Sequence, residues 1–76
     1  MDQISSSRSY SRFLPLKVGD VVCWTGIAAR FFCGETGLVL EVRPNKDGVQ
    51  LLDECVVLSS GGYVGIYYMA ELALLA

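Results

Sequence analysis

Apolar residues fall in short runs along this chain, each closed by glycine, proline or a short polar cluster. The first run, Val21-Val22-Cys23-Trp24-Thr25, is opened by the turn signal Val18-Gly19-Asp20 and closed by Gly26. Ahead of it, Leu14-Pro15-Leu16-Lys17 reads as extended, because Pro15 fixes its own φ and disfavours helix at Leu14. The second run spans Thr36 to Arg43 and follows the corner Gly34-Glu35-Thr36-Gly37. Val39 and Val42 break simple alternation by one position, which predicts a β-bulge that returns both to one face. Pro44-Asn45-Lys46-Asp47-Gly48 is the clearest turn, since Asp-Gly supplies a residue tolerant of positive φ. A third strand is predicted over Val49–Leu58, with an interruption near Asp53-Glu54, and Ser59-Ser60-Gly61-Gly62 forms a second hairpin turn. Tyr63-Val64-Gly65-Ile66-Tyr67 reads as the fourth strand, Tyr68-Met69-Ala70-Glu71 as one helical turn, and Leu72 to Leu75 as the fifth strand. Met69 to Ala76 contains only good helix formers, but a helix of 8 residues is marginal, so a strand is preferred there. Ile27 to Cys33 has no strong polar period and reads as the long loop between strands one and two, or as one helical turn. The pattern predicts an all-β domain whose core includes Val21, Leu38 or Val39, Val42, Val57 and Ile66.

Composition adds a constraint on partners. The chain has 76 residues, 53% of them hydrophobic and only 18% charged, against about 25% charged in ordinary soluble domains. A domain of this size buries only roughly 60% of its unfolded surface. Apolar surface is therefore expected to remain outside, where a large patch marks an interface, and the chain is expected to meet a protein partner or to self-associate in a larger assembly. The net charge of −2 argues against nucleic acid, whose binders carry a basic patch. Charge is uneven: Arg8 and Arg12 outweigh Asp2 in residues 1–13, while the remainder is acidic. That first segment, rich in serine, reads as a flexible Ser/Arg arm ahead of a domain over residues 14–76. Arg8 and Arg12 would pair with acidic groups on a partner, with Tyr10 and Phe13 as apolar anchors. The segment lacks the apolar run of a signal peptide, and no stretch approaches the roughly 18 apolar residues of a membrane span, so neither secretion by signal peptide nor a membrane partner is expected.

Candidate chemistry is sparse. Cys23, Cys33 and Cys55 are odd in number and widely spaced, and there is no histidine. A zinc site ordinarily takes four Cys or His ligands, so buried or semi-buried free thiols in a reducing compartment are expected, with no metal. Asp53 and Glu54 are neighbours that a strand would point to opposite faces. Cysteine without histidine is a poor nucleophile, and the glycine turns lack the Lys-Ser/Thr context of a phosphate loop. No enzymatic activity and no cofactor are expected. The aromatic residues carry more weight. Trp24 and Tyr67 read as core or rim residues, while Phe31, Phe32 and Tyr63 fall in loops and would form an apolar contact patch of the kind that anchors interfaces. Recognition of a Pro-rich ligand would call for acidic residues in the first long loop, which here is apolar.

Val18-Gly19-Asp20-Val21-Val22, followed by Gly34-x-x-Gly37-x-Val39-x-x-Val42, is similar to the KOW motif of SH3-like barrels. Val56-Val57-Leu58-Ser59-Ser60-Gly61-Gly62, running on to Tyr67 and Glu71-Leu72, resembles small bacteriophage proteins of that shape. The resemblance covers roughly residues 16–75. It implies a small five-stranded SH3-like barrel with a short 3-10 turn before the last strand, preceded by an extended N-terminal arm. It also implies a phage origin, and together with the apolar excess, the apolar loop and the Ser/Arg arm it leads to the expectation of a non-enzymatic phage virion component, such as a capsid, neck or tail accessory protein, found in the virion or the host cytoplasm. A phage-encoded regulatory binder of a host protein and a KOW-type nucleic-acid-binding module are the alternatives. KOW domains contact RNA or protein through loops around the motif. In this chain that loop carries Arg30 alone among Ile27, Ala28, Ala29, Phe31 and Phe32, which favours protein.

Overall fold

A computed structural model describes residues 15–75. The expected arm, with Arg8, Tyr10, Arg12 and Phe13, lies outside the described residues. Five strands are present: β1 (Val21–Trp24), β2 (Gly37–Arg43), β3 (Glu54–Ser59), β4 (Val64–Tyr68) and β5 (Leu72–Leu74). All neighbours run antiparallel in one sheet of order β4-β3-β2-β1-β5. Among the described residues the helical elements are short 3-10 turns, at Gly26–Arg30, Gln50–Leu52 and Met69–Glu71. The all-β class, the strand number and the 3-10 turn directly before the last strand are as the sequence predicts.

Each corner has a local cause. Lys17 N–H donates to Asp20 Oδ2 at 2.9 Å and Asp20 N–H to the Lys17 carbonyl at 3.0 Å, closing a turn in which Gly19 takes φ +96°. Gly19 N–H and Val39 N–H then exchange bonds with the Val39 and Asp20 carbonyls, both 2.9 Å, which sets the entry of β1 beside β2. At the β3–β4 hairpin Gly62 takes φ +93°, Ser59 N–H donates to the Tyr63 carbonyl at 2.7 Å, and Tyr63 N–H donates to Ser59 Oγ at 3.1 Å. Before β5, Glu71 Oε1 accepts the Tyr68 N–H at 2.9 Å and the Glu71 carbonyl accepts the Thr25 N–H at 2.8 Å, so one residue ties β4, β5 and the end of β1.

The β2–β3 connection departs from expectation. The third strand begins at Glu54, not Val49, because Asn45 and Asp53 organise the chain between them into a loop. Asn45 Oδ1 accepts the Asp47 and Val49 amides at 3.0 and 3.2 Å, and Asp53 Oδ1 accepts the Asn45 amide at 2.6 Å. These side-chain acceptors compete with ladder bonds for the same donors. The chain then makes a 3-10 turn, leaving Val49, Leu51 and Leu52 exposed.

Inside the sheet, Leu16, Val22, Trp24, Val39, Cys55, Val57, Met69 and Leu72 form the core, with Phe32, Val42, Tyr67 and Leu74 packed against it. The predicted bulge is present: the β2–β3 register shifts between Val39 and Glu41, and both Val39 and Val42 face inward. Val39 and Val57 are core residues as expected. Val21 and Ile66 are not: Val21 is 37% and Ile66 54% exposed, because Val22 and Tyr67, one position along each strand, take the inward side. Trp24 stacks on Phe32 with ring centroids 4.1 Å apart, and Tyr67 meets both rings edge-on at 5.4 and 5.5 Å. Gly37 is buried where this cluster meets Val57, and a Cβ there would run into both the Val57 side chain and the Trp24 ring. Of the thiols, Cys55 is buried and Cys23 half-buried, as expected, but Cys33 is exposed at the turn after the first 3-10 segment.

Candidate protein-interaction surface

The core takes one residue in two along each strand, and the residues between them are also apolar. Opposite the core, the sheet presents Val21 beside Leu38, Leu38 beside Leu58, and Leu58 beside Val64, a row that crosses β1, β2, β3 and β4. A second row sets Val56 beside Ile66, with Leu40 at the bulge and Glu41 opposite Val56. The third row is Arg43, Glu54 and Tyr68. Val64, Ile66 and Tyr68 are 61%, 54% and 48% exposed. Strands apolar on both faces belong to sheets covered on both sides, whereas a sheet facing water alternates apolar and polar. In this sheet the outer face has the composition of a covered one.

Charge on that face is limited to Glu41 at the bulge and to Arg43 and Glu54 in the third row. Arg43 Nε donates to Glu41 Oε2 at 2.9 Å. This bond and the guanidinium charge hold the Glu41 carboxyl below its usual range and raise Arg43 in turn. The pair is solvent-exposed, so the two charges offset each other without adding much to stability.

Of the predicted contact residues, Phe31 and Tyr63 are 76% and 72% exposed. Phe32 is different: its ring stacks on Trp24, so it is a half-buried wall of the core, while Phe31, its neighbour, points outward. The loops bearing Phe31 and Tyr63 meet at one end of the sheet. There Glu35 Oε1 accepts the Gly61 N–H at 3.2 Å, and Thr36 exchanges bonds with Ser60 at 2.8 and 3.2 Å. Val21, Leu38, Leu40, Leu58, Val64, Ile66 and Tyr68 were not predicted as contact residues. Their signal in the sequence was the apolar excess itself, which gives an amount of exposed surface without its place.

Burial pushes the Cys55 thiol up to about 11, with Asp53 adding to the shift, so it is a protonated thiol at neutral pH. Burial, and after it Glu71 and Glu35, raise the Tyr67 phenol. Among the described residues no three Cys, Asp or Glu side chains are grouped so as to hold a metal ion. The concavities are shallow, the one beside Trp24, Phe32, Cys23 and Cys33 having a volume of about 430 Å³. No protein-family model matches the chain, and no curated protein or solved structure matches it significantly.

Proposed function

We propose that the chain is a non-enzymatic interaction module that docks through the outer face of its sheet onto a larger protein assembly. The observation that carries this reading is the unbroken apolar row Val21, Leu38, Leu58 and Val64 on the side of the sheet away from the core. Large apolar patches left on a small domain are costly in water and mark contact surfaces. The absence of charge from this row, with Arg43 the sole cation of the face and paired to Glu41, favours protein over nucleic acid, which needs cations arrayed toward phosphates. The likeness of residues 16–75 to small phage barrels of the SH3-like, KOW-type kind favours a virion as the assembly. On this reading Phe31 and Tyr63, on loops at one end of the sheet, extend the contact.

The test is incorporation. Mass spectrometry of purified particles should find the chain at a fixed copy number. Leu38→Lys with Leu40→Lys should leave the circular dichroism spectrum unchanged and abolish incorporation. Absence of the wild-type chain from particles, or full incorporation of the double variant, would overturn the proposal.

A further inference from the structure

The edge formed by β4 is unpaired, and as far as Tyr68, whose outward N–H the Glu71 carboxylate caps, it carries none of the devices that keep a strand edge from pairing. Tyr63 accepts the Ser59 N–H at 2.7 Å, and Met69 N–H donates to the Asp53 carbonyl at 2.8 Å. Antiparallel ladders alternate, so Tyr63, Gly65, Tyr67 and Met69 turn their backbone groups toward β3 and its lead-in, while Val64, Ile66 and Tyr68 turn theirs away. Glu71 Oε1 occupies the Tyr68 N–H. The 3-10 turn Met69–Glu71 occupies the Tyr68 carbonyl through the Glu71 N–H, so the N–H and C=O of Val64 and Ile66 are the edge groups without a partner among the described residues. Natural edges are blunted by charge, proline, bulges or shortness. From Ser59 to Ala70 there is no charged residue and no proline, and the β3–β4 register runs without a bulge. The opposite edge, β5, is only 3 residues long.

We infer that β4 pairs antiparallel with β4 of a second copy of this chain, on a two-fold axis through Gly65, to give one continuous sheet. The free groups, on Val64 and Ile66, are centred on Gly65, which is what a two-fold requires. Val64 then stands opposite Ile66 of the second copy, and the two exchange an N–H···O bond in each direction. The two-fold repeats this pair on the other side of Gly65, so every free group of both edges finds a partner. On the outer face this sets Val64 against Ile66, an apolar cross-strand pair. A two-fold brings identical patches together, so charge on β4 would meet like charge, and β4 has none. The apolar rows of the outer face run on across the junction, which doubles the surface offered to an assembly. The inference stands on the edge backbone, independently of what the outer face binds.

Sedimentation of the full chain over a concentration series, with amide hydrogen exchange read by NMR at the same concentrations, tests it. The expected result is a dimer in which the Val64 and Ile66 amides exchange about tenfold or more slowly than in the dilute monomer. Ile66→Pro removes one of the two donors each copy contributes, at a position where an edge strand tolerates proline, and should be monomeric throughout. Three outcomes would overturn the inference: a monomer whose Val64 and Ile66 amides exchange freely, a monomer in which residues 1–14 protect them, or a dimer that leaves them unprotected and persists in Ile66→Pro. If Ile66→Pro does not fold, the exchange pattern of the wild-type dimer decides between the same results.

Discussion

Cys55 has no exposed surface, and burial, with Asp53 adding to it, raises its thiol from 9.0 to about 11. The folded state therefore holds this proton more tightly than the unfolded chain. Its contribution to stability is full below pH 9.0 and is lost as the pH rises through about 11. The slope is at most about 1.4 kcal/mol per pH unit, and Tyr67, shifted the same way, adds to the loss at the alkaline end. Urea unfolding followed from neutral pH upward should show stability falling across this window, and Cys55→Ala should flatten the fall. The thiols should also differ in access: an alkylating reagent should label exposed Cys33 first and Cys55 only on unfolding, as peptide mass spectrometry would show. Gly37 stands where the core leaves no room for a side chain. Gly37→Ala forces a methyl group between Val57 and Trp24, and such overpacking costs about 1–3 kcal/mol, measurable as a lower urea midpoint.

At the level of the strands, which side of each one faces the core decides what a substitution costs. Leu72 is 4% exposed, and Leu72→Ala should cost about 2–5 kcal/mol through lost burial and a cavity. Ile66 is 54% exposed, so Ile66→Ala in the monomer should stay within about 0.5 kcal/mol of wild type. Chemical denaturation of the two variants at low protein concentration checks the pair. The sequence leads to the opposite expectation for Ile66, and the reason is physical. Where apolar residues occupy both faces, period-two alternation vanishes, and nothing local tells Val21 from Val22 or Ile66 from Tyr67. The bulge in β2 was legible because its valines bracket polar Glu41, and the hairpin at Gly61-Gly62 because glycine marks positive φ. Strand β3 was read too early because Asn45 and Asp53 act across the connection, at a separation of 8 residues, on backbone groups that the strand pattern assigns to the ladder. Phe31 and Phe32 are neighbours of one residue type, and only the tertiary stack on Trp24 separates the exposed ring from the packed one.

For the whole molecule, the apolar outer face sets the thermodynamics of any contact it makes. Burying it should give a negative heat-capacity change on binding, and affinity should change little with salt because the row through Leu38 and Leu58 is uncharged and Glu41 is paired with Arg43. Calorimetry over a range of temperatures and ionic strengths would read both, and a steep loss of affinity with salt would place the contact elsewhere. The extent of the exposed apolar surface was legible in the composition. Its location followed only from the register, which sets Leu38 between Val21 and Leu58, and Val64 beyond them, in one row.

Strand β1 is paired on both sides, with β2 through Val21 and Val22 and with β5 through Val22, Cys23 and Trp24. The partners Val22 and Leu74 stand 52 positions apart, so that side of β1 stays open on the ribosome until Leu74 has cleared the exit tunnel. The hairpins β2–β3 and β3–β4 close locally and can form earlier. The nascent chain therefore passes through a stage in which Val22 and Trp24, two members of the core, have emerged without their cover. Synthesis of this protein at high level should accordingly lose material to insoluble aggregates during translation. Slowing elongation before the codons of β5 should worsen that loss, and adding a chaperone that holds nascent chains should relieve it.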